Sequence, residues 1–299
     1  MSPLEGSELG RVVRSALYVP GTRLDMVDKA LRKGADQVIV DLEDSVPAQA
    51  KIETRHAVAE YVAGLSSDVG VWVRVNPGSD GVRDAESVAQ PALRGICISK
   101  AEDPGVVGEV AAKAAAVAGR SVPVEPLVES AAAVAGCDRL AGAPGVVRLQ
   151  LGEADLAADV GVREGYADAG LAYARSRVVF TSAAYGLYPP LAPVEPDFRD
   201  LLAFERSTRH LRGLGFVGRV CIHPAQVVIA NKVFTPLRSE VVSAEVLVAA
   251  LDAHAASGHG AFVGTDGRMV DPATVRSARR TLAVAEQFGI IEDSEEGSR

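Results

Sequence analysis

The stretch VIVDLEDSVP (residues 38–47) decides how this chain is expected to fold. Its aliphatic residues form a continuous run, without the polar–apolar alternation of a half-exposed strand. Both faces of such a strand are expected to be buried, as in a parallel sheet covered by helices. Three carboxylates, Asp41, Glu43 and Asp44, follow the run. A dry, unpaired carboxylate is strongly unfavourable, so a metal ion, a basic neighbour or open water must compensate them.

Eight aliphatic runs, each preceding a longer amphipathic segment, occur within the first 235 residues. The runs are SALYV, QVIVDL, VWVRV, GICISK, VPVEPLVE, VVRLQLG, YPPLAPV and GRVCIHP. The predicted helices cover residues 23–33, 48–65, 83–90, 106–118, 130–140, 169–185, 198–214 and 225–234. Eight successive units of this kind predict a TIM (β/α)8 barrel over residues 11–235 rather than an open sheet. The prolines of YPPLAPV make the seventh strand the weakest.

The pattern changes in the last part of the chain, residues 236–290. A helix is predicted over residues 239–257, and another over residues 272–287 with Pro272 in its first turn. Between them, the Asp266–Gly267 pair in AFVGTDGRMV is typical of a β-hairpin turn. The sequence therefore predicts a helix–hairpin–helix appendage that acts as a lid, followed by a disordered tail over residues 291–299.

Composition excludes several classes of protein. The formal net charge of −8 disfavours binding to nucleic acid or to acidic membranes. The spacing of the three cysteines fits neither a zinc site nor a disulfide framework, which indicates core thiols in a reducing cytoplasm. The first residues lack the pattern of a signal peptide, and no apolar run has the length of a membrane helix.

Polar residues collect at the predicted carboxyl ends of the strands, where barrel active sites lie. They are Tyr18, Asp41, Glu43, Asp44, Arg74, Asn76, Lys100, Glu129, Glu153, Asp155 and His223. Acidic side chains outnumber basic ones in this set, so a hard divalent cation is the natural neutraliser. Magnesium fits best, held by one or two carboxylates, waters and a chelating substrate. Arg74 is then available to hold a substrate carboxylate or an enolate oxygen.

An ordered set of motifs carries a family resemblance that spans residues 14–287. The motifs are RSALYVPG, VDLEDSV, WVRVNP, PLVES, LGEADLAADVG, GRVCIHPAQ and GHGAFVGTDGRMVD. Together they resemble the citrate lyase β-subunit-like branch of the HpcH/HpaI aldolase family. The terminal hairpin resembles that of the stand-alone malyl-CoA and citramalyl-CoA lyases.

The resemblance implies a magnesium ion held by Glu129 and Asp155. It places Arg74 where it contacts the oxyacid and the thioester oxygen. The three carboxylates of the opening stretch, Asp41, Glu43 and Asp44, are then expected to surround the metal's water ligands, with Lys51 and Arg74 as partners. Groups in that position orient ligands and tune the metal.

The resemblance also implies a coenzyme A site and a second catalytic group. Tyr18, Lys29 and the backbone around Ile222–His223 are expected to bind the CoA ligand. Asp25 stands where some family members have a basic residue, and Arg23 is a possible substitute. Asp271 is the implied catalytic acid/base, and it is expected to reach the active site of a neighbouring subunit in a homotrimer or a dimer of trimers.

The resulting expectation is a Mg²⁺-dependent lyase. It would cleave malyl-CoA or citramalyl-CoA to acetyl-CoA and a 2-oxo acid in a reversible Claisen-type reaction. Three alternatives stay open: a thioesterase acting on malyl-CoA, a citrate lyase β subunit acting on a carrier-bound citryl group, and a non-catalytic barrel that binds acyl-CoA.

The site residues also have purely structural interpretations. Glu129 and Asp155 are possible helix caps, and Arg74 is a possible ion-pair partner of Glu43. The remaining interpretations are a core aromatic for Tyr18, a solvated helix residue for Lys29, a packed strand end for His223 and a helix cap for Asp271.

Overall fold

The computed structural model describes residues 12–66, 70–163, 165–256, 262–263 and 269–290. The chain divides into two compact units, Met1–Lys232 and Val233–Arg299. Within the described ranges, no helix combines the length and the apolar character that a membrane span requires.

The first unit contains eight parallel strands. They are β1 Ser15–Pro20, β2 Gln37–Asp41, β3 Val71–Val75, β4 Gly95–Ile98, β5 Val124–Val128, β6 Gln150–Leu151, β7 Leu191–Ala192 and β8 Gly218–Cys221. They pair in the order β6-β5-β4-β3-β2-β1-β8-β7. One parallel bridge, between Arg148 and Tyr188, joins the two ends of this sheet. The strands thus form a nearly closed barrel, and the predicted TIM-barrel fold is confirmed.

Eleven α-helices accompany these strands in the first unit's described residues and at its boundary. They are α1 Val27–Arg32, α2 Lys51–Ala63, α3 Gly78–Val88, α4 Pro104–Ala118, α5 Ala131–Ala135, α6 Cys137–Ala141, α7 Glu153–Val160, α8 Ala167–Gly170, α9 Ala172–Ala184, α10 Leu201–Gly213 and α11 Pro224–Phe234. Short 3-10 turns, Leu24–Met26 and Ala48–Ala50, precede α1 and α2.

Two of the differences between predicted and observed helices have a local explanation. The helix predicted over residues 130–140 is two short helices that meet at Gly136, a residue with poor helix propensity. The helix predicted to start at residue 83 begins at Gly78. There the Asp84 carboxylate accepts hydrogen bonds from the backbone N–H of Asn76 at 2.9 Å and from its side chain at 2.6 Å. This contact ties the preceding loop to α3, and propensity could not reveal it.

Alternation along the strands separates the barrel interior from the layer beneath the helices. Ala16, Ile39, Cys97, Leu127, Leu191 and Val220 form the interior cluster, which Tyr18 and Trp72 adjoin. The other aliphatic residues of these strands, such as Val38 and Val40, belong to the larger cluster that includes residues of the surrounding helices. Because every second side chain of a strand points to the same side, the residue two positions after an interior residue at a strand end faces the barrel mouth. Asp41 follows Ile39 in this way, and Glu129 follows Leu127.

A buried ion pair occupies the barrel beside the short strands β6 and β7. Arg148 Nη1 lies 2.7 Å from Glu125 Oε1, and Arg148 Nε donates to the Pro189 carbonyl oxygen at 3.0 Å. Gln150 Nε2 donates to the other carboxylate oxygen of Glu125. The sixth run was predicted as a full strand, but only two of its residues are strand. Earlier in the run, Val146 makes an isolated bridge to Val124 on one side, and Arg148 makes an isolated bridge to Tyr188 on the other.

The second unit contains two helices and a strand pair in its described residues. α12 Arg238–Ala256 and α13 Pro272–Gln287 flank β9 Phe262–Val263 and β10 Met269–Val270, which pair antiparallel. This is the predicted helix–hairpin–helix order. The predicted turn at Asp266–Gly267 and the predicted tail over residues 291–299 lie outside the described residues.

Replacing Arg148 with Ala is expected to lower the free energy of unfolding by about 3–5 kcal/mol, because Glu125 would be left as an uncompensated buried charge. Denaturant unfolding measures this change. Lys113→Ala is the control, since its 3.4 Å pair with Glu86 lies at the surface and is worth less than about 1 kcal/mol. Equal effects of the two substitutions would contradict the assigned importance of the buried pair.

Candidate active site

A cavity of about 410 Å³ opens at the carboxyl ends of the barrel strands. Seven of the polar residues predicted at the strand ends line it: Tyr18, Asp41, Asp44, Arg74, Glu129, Glu153 and Asp155. Ile222, predicted to contribute backbone, also lines it, whereas Lys29, Glu43 and His223 do not. The barrel therefore brings together residues that lie far apart along the chain.

Arg74 is the main cation that compensates the carboxylates of the opening stretch. Its Nε and Nη2 lie 2.6 and 2.8 Å from the two oxygens of Asp41. Its remaining ion-pair distances are 3.3 Å to Glu43 and 3.4 Å to Asp44. Burial opposes ionisation of Asp41, but the hydrogen bonds and charge of Arg74 outweigh it and lower the pKa of Asp41. The guanidinium also lies 4.7 Å from the centre of the Tyr18 ring, within cation–π range.

The second compensating cation is Lys100, not Lys51 as predicted. Lys100 Nζ pairs with Glu43 and lies 3.6 Å from Asp44. Lys51 Nζ instead donates to the carbonyl oxygens of Leu42 and Glu43, at 3.1 and 3.0 Å. Lys51 thus braces the backbone of the loop, while the carboxylates are neutralised by a residue that comes much later in the sequence.

Lys100 reaches two carboxylates because of its unusual backbone. Its φ of 46° is the only positive value of a non-glycine residue among the described ones, and such a conformation costs of order 1–3 kcal/mol. Its backbone N–H donates to Glu129 Oε2 at 2.7 Å, while its side chain pairs with Glu43. Burial lowers the pKa of Lys100, but the hydrogen bond and charge of Glu43 outweigh burial and raise it.

Glu129 is a buried carboxylate at the end of β5, with 5% of its surface exposed. Burial, together with the charges of Asp155 and Glu43, raises the pKa of Glu129 to about 7, against the opposing Lys100 N–H and the charge of Arg74. Its carboxylate packs directly on Gly152, where an added Cβ would lie 2.3 Å from Glu129 Oε1. Only glycine leaves room for the acid at this point.

The helix-cap interpretations of Glu129 and Asp155 are wrong. Ser130 caps α5, and its hydroxyl accepts a hydrogen bond from Ala133 N at 3.1 Å. Helix α7 begins at Glu153, so Asp155 lies in its first turn rather than at its cap. Within the described residues, neither Asp155 nor Glu129 Oε1 has a hydrogen-bond partner, and neither carboxylate has an ion-pair partner.

Two carboxylates without a cation partner in one cavity fit a hard divalent ion. No three His, Cys, Asp or Glu side chains converge as metal ligands in the part of the chain that is described. The other coordination positions would therefore belong to water and substrate. Magnesium prefers this arrangement, since it retains several waters and is usually bound by only one or two protein carboxylates.

The chain matches the HpcH/HpaI aldolase/citrate lyase family over residues 14–224. It belongs to the HpcH/HpaI family. The "Citrate lyase subunit beta-like protein" of Deinococcus radiodurans is 33% identical, with 91% of this chain and 97% of that protein covered. The "L-malyl-CoA/beta-methylmalyl-CoA lyase" of Rhodobacter capsulatus is 31% identical, with 92% and 95% covered.

Two further HpcH/HpaI comparisons bear on activity and ligands. A protein named "(3S)-malyl-CoA thioesterase" from Cereibacter sphaeroides is 32% identical, over 94% of this chain and 97% of that protein. The crystal structure of CitE from Mycobacterium tuberculosis, in complex with magnesium, acetoacetate and coenzyme A, has a TM-score of 0.75 at 29% identity. That alignment covers 91% of this chain and 97% of CitE.

Of the four residues assigned from the HpcH/HpaI resemblance to coenzyme A binding, Tyr18 and Ile222 line the cavity, whereas Lys29 and His223 do not. Lys29 is exposed and lies 3.3 Å from Asp25, which also pairs with Arg23 at 2.9 Å. Asp25, which stands where some family members have a basic residue, thus pairs with both Arg23 and Lys29. His223 is exposed and stacks on Phe198, with 5.1 Å between ring centres.

Asp271, the catalytic acid/base implied by the HpcH/HpaI resemblance, lies in the second unit. Its carboxylate Oδ1 accepts hydrogen bonds from the backbone N–H and the hydroxyl of Thr274, both at 2.8 Å. It is therefore the N-cap of α13, as the structural alternative predicted. The capping role is shown, and the catalytic role stays a prediction.

Among the residues that line the cavity of this HpcH/HpaI barrel, sequence reasoning missed the polar side chain of Gln150. Gln150 is buried, and its side-chain amide donates to Glu125 deeper in the interior. The alternation in RLQLG carried the signal, because Arg148 and Gln150 are two residues apart and share one face of the strand. Reading the run as uniformly apolar concealed it.

Glu129 is expected to make the metal-free protein less stable as the pH rises. Its folded-state pKa of about 7 exceeds the usual 4.5, so folding favours the protonated form. That stabilisation is present below pH 4.5 and is lost as the pH rises to about 7, a total of roughly 3 kcal/mol. In EDTA, Glu129→Gln should therefore be more stable than wild type at about pH 8 and nearly equal at about pH 5.

Denaturant unfolding of both proteins at the two pH values tests this expectation. The amide retains an oxygen that can accept the Lys100 N–H, so the substitution removes the charge with little other change. Glu53→Gln, at an exposed position on α2, is the control. A difference between Glu129→Gln and wild type that does not change with pH would contradict the expectation.

Proposed function

We propose that this protein is a Mg²⁺-dependent carbon–carbon lyase acting on a 3-hydroxy-3-carboxyl acyl-CoA such as malyl-CoA or citramalyl-CoA. The products would be acetyl-CoA and a 2-oxo acid, in a reversible Claisen-type reaction. The observation that carries the proposal is the pair of carboxylates, Glu129 and Asp155, which line the same cavity as Arg74 without a cation of their own among the described residues. The named activities of the relatives support the same reaction class.

Glu129 and Asp155 would hold the magnesium ion. When bound, the metal supplies Lewis acidity that favours ionisation of the substrate hydroxyl and polarises the keto group in the reverse reaction. Burial keeps Glu129 dry, and the Lys100 N–H together with Gly152 determines where its carboxylate lies. A positioned, weakly solvated carboxylate of this kind needs little reorganisation when a cation arrives.

Arg74 would stabilise the negative charge that develops on the thioester oxygen of the acetyl-CoA enolate. Asp41 binds the guanidinium through Nε and Nη2, which fixes its plane before substrate enters. A charged donor that is already oriented stabilises a developing charge better than a mobile one. The same plane suits a carboxylate of the substrate, which a guanidinium can bind through two hydrogen bonds.

Asp271 would exchange the proton with the methyl carbon of acetyl-CoA. It would protonate the enolate in cleavage and deprotonate the methyl group in condensation. The HpcH/HpaI resemblance supports this role and implies that the carboxylate acts at a neighbouring subunit. The proposal therefore requires an oligomer, and the resemblance implies a homotrimer or a dimer of trimers.

A thioesterase acting on malyl-CoA is the second candidate. The similarity to the (3S)-malyl-CoA thioesterase of Cereibacter sphaeroides favours it. The same metal and the same Arg74 would polarise a thioester carbonyl for attack by water, so the site chemistry of the two candidates overlaps. The products distinguish them, because hydrolysis releases free CoA and malate without a 2-oxo acid.

The purified protein is expected to convert malyl-CoA or citramalyl-CoA to acetyl-CoA and a 2-oxo acid with Mg²⁺, and EDTA should abolish the conversion. Chromatographic detection of acetyl-CoA, together with a free-thiol assay, measures both outcomes. Asp155→Asn should bind Mg²⁺ more weakly and lose turnover. Free CoA without a 2-oxo acid would establish the thioesterase, and inactivity on both substrates would direct attention to carrier-bound citryl groups or a non-catalytic role.

Asp271→Asn is expected to retain Mg²⁺ binding, measured by calorimetry, while turnover is lost, because the acid/base is absent but the metal ligands remain. Co-expression with Glu129→Gln subunits tests the shared site. If each site combines residues of two subunits, about one quarter of the sites regain both groups at equal expression. Activity no higher than the sum of the two inactive variants would contradict a shared site, and an active Asp271→Asn would contradict the catalytic role.

A further inference from the structure

Besides Asp41 and Asp44, which pair with Arg74 and Lys100, three carboxylates line the cavity: Glu129, Glu153 and Asp155. Glu153 and Asp155 both lie in the first turn of α7. Two carboxylates balance the charge of a divalent cation, whereas three would leave one excess negative charge. Such a site would bind the cation more tightly and repel the carboxylate of a 2-oxo acid, so the number of available carboxylates affects both ligands.

Arg175 on α9 engages Glu153 completely. Arg175 Nε lies 2.5 Å from Glu153 Oε1, and Nη2 lies 2.8 Å from Oε2, so each oxygen has its own donor. The third nitrogen, Nη1, donates to Asp168 at 2.8 Å. Only 6% of the Arg175 side chain is exposed, against 15% for Glu153. Planar, two-point pairing in a largely buried setting gives this pair a defined geometry.

Asp155 has a different environment although it lies only two residues from Glu153. Among the described residues, no side chain donates a hydrogen bond to it and no cation lies within ion-pairing distance. No convergent group of three metal-ligating side chains is present in the same part of the chain. Of the two acids of α7, Glu153 is therefore occupied by Arg175, whereas Asp155 is available to bind a cation.

We propose that Arg175 is a positioning residue that withholds Glu153 from the metal, so that only Glu129 and Asp155 neutralise the cation and a 2-oxo acid anion can bind beside it. The inference rests on the proposed magnesium site. In this proposal, Arg175 affects the affinity for Mg²⁺ and for the 2-oxo acid only through its contact with Glu153.

The proposal predicts that removing Arg175 changes Mg²⁺ affinity and 2-oxo acid affinity in opposite directions. In Arg175→Met, Glu153 is released and adds its charge to the site. Mg²⁺ affinity of the metal-free full-length protein should rise about fivefold, and the affinity of the Mg²⁺-loaded protein for glyoxylate or pyruvate should fall by a similar factor. Isothermal titration calorimetry measures both affinities without relying on turnover.

A second substitution tests whether Glu153 carries the effect. In Arg175→Met with Glu153→Gln, no released carboxylate remains, so both affinities should return to within about twofold of wild type. Arg177→Met is the matched control. Arg177 lies on the same helix and pairs with Asp138 at 2.6 Å, and its loss should change neither affinity.

Opposite shifts that the double variant reverses would support the proposal. A parallel loss of both affinities, or no change in either, would overturn it and leave Arg175 a purely structural residue. If Arg175→Met does not fold, Arg175→Lys replaces it, since lysine keeps the charge but cannot bind both oxygens in a plane. Smaller shifts of opposite sign are then expected, and parallel shifts or none would again overturn the proposal.

Asp155→Asn separates this inference from the proposed metal site. If Asp155→Asn leaves Mg²⁺ affinity unchanged, the metal-site assignment itself is wrong and the inference falls with it. If that variant weakens Mg²⁺ binding but the Arg175 variants show no opposite shifts, the metal site stands and the role of Arg175 alone is rejected.

Discussion

The ion pair between Arg74 and Asp41 is the interaction on which the rest of the site depends. The two residues are direct neighbours in the register of β2 and β3, so the parallel pairing itself brings the opposite charges together. Buried pairs of this kind are tolerated only when their geometry is good and their remaining groups are satisfied. Tyr18 beside the guanidinium and the backbone N–H groups that bind Asp41 meet that condition.

Charge compensation is unequal around the barrel mouth, and this inequality defines the site. Arg74 and Lys100 neutralise Asp41 at the end of β2 and Glu43 just after it. Glu129 and Asp155 have no such partner among the described residues, and burial raises the pKa of Glu129 to about 7. A buried acid that the fold leaves unpaired is unfavourable for stability, and perturbed acids of this kind concentrate at functional sites. The site is therefore ready for a divalent cation.

The strained backbone of Lys100 couples the two halves of the mouth. Its N–H binds Glu129, while its ammonium group binds Glu43, so a single residue supports both the unpaired and the paired carboxylates. Left-handed backbone at a residue with a side chain persists only where the surroundings hold it, and such residues cluster at functional sites. Membership of the HpcH/HpaI family is consistent with a mouth whose charges are arranged to receive a cation and an acidic substrate.

The sequence by itself determined the parallel barrel and the position of its active end. Continuous apolar runs require two buried faces, and the alternation of side chains sends residues such as Asp41 and Glu129 to the mouth. Only the tertiary structure decided which charges pair. Lys100 rather than Lys51 neutralises Glu43, and Arg175 engages Glu153, because these contacts join positions that fold from different strands and helices. The local sequence pattern carries no information on distances between side chains of different elements, so these ion pairs could be identified only from the tertiary structure.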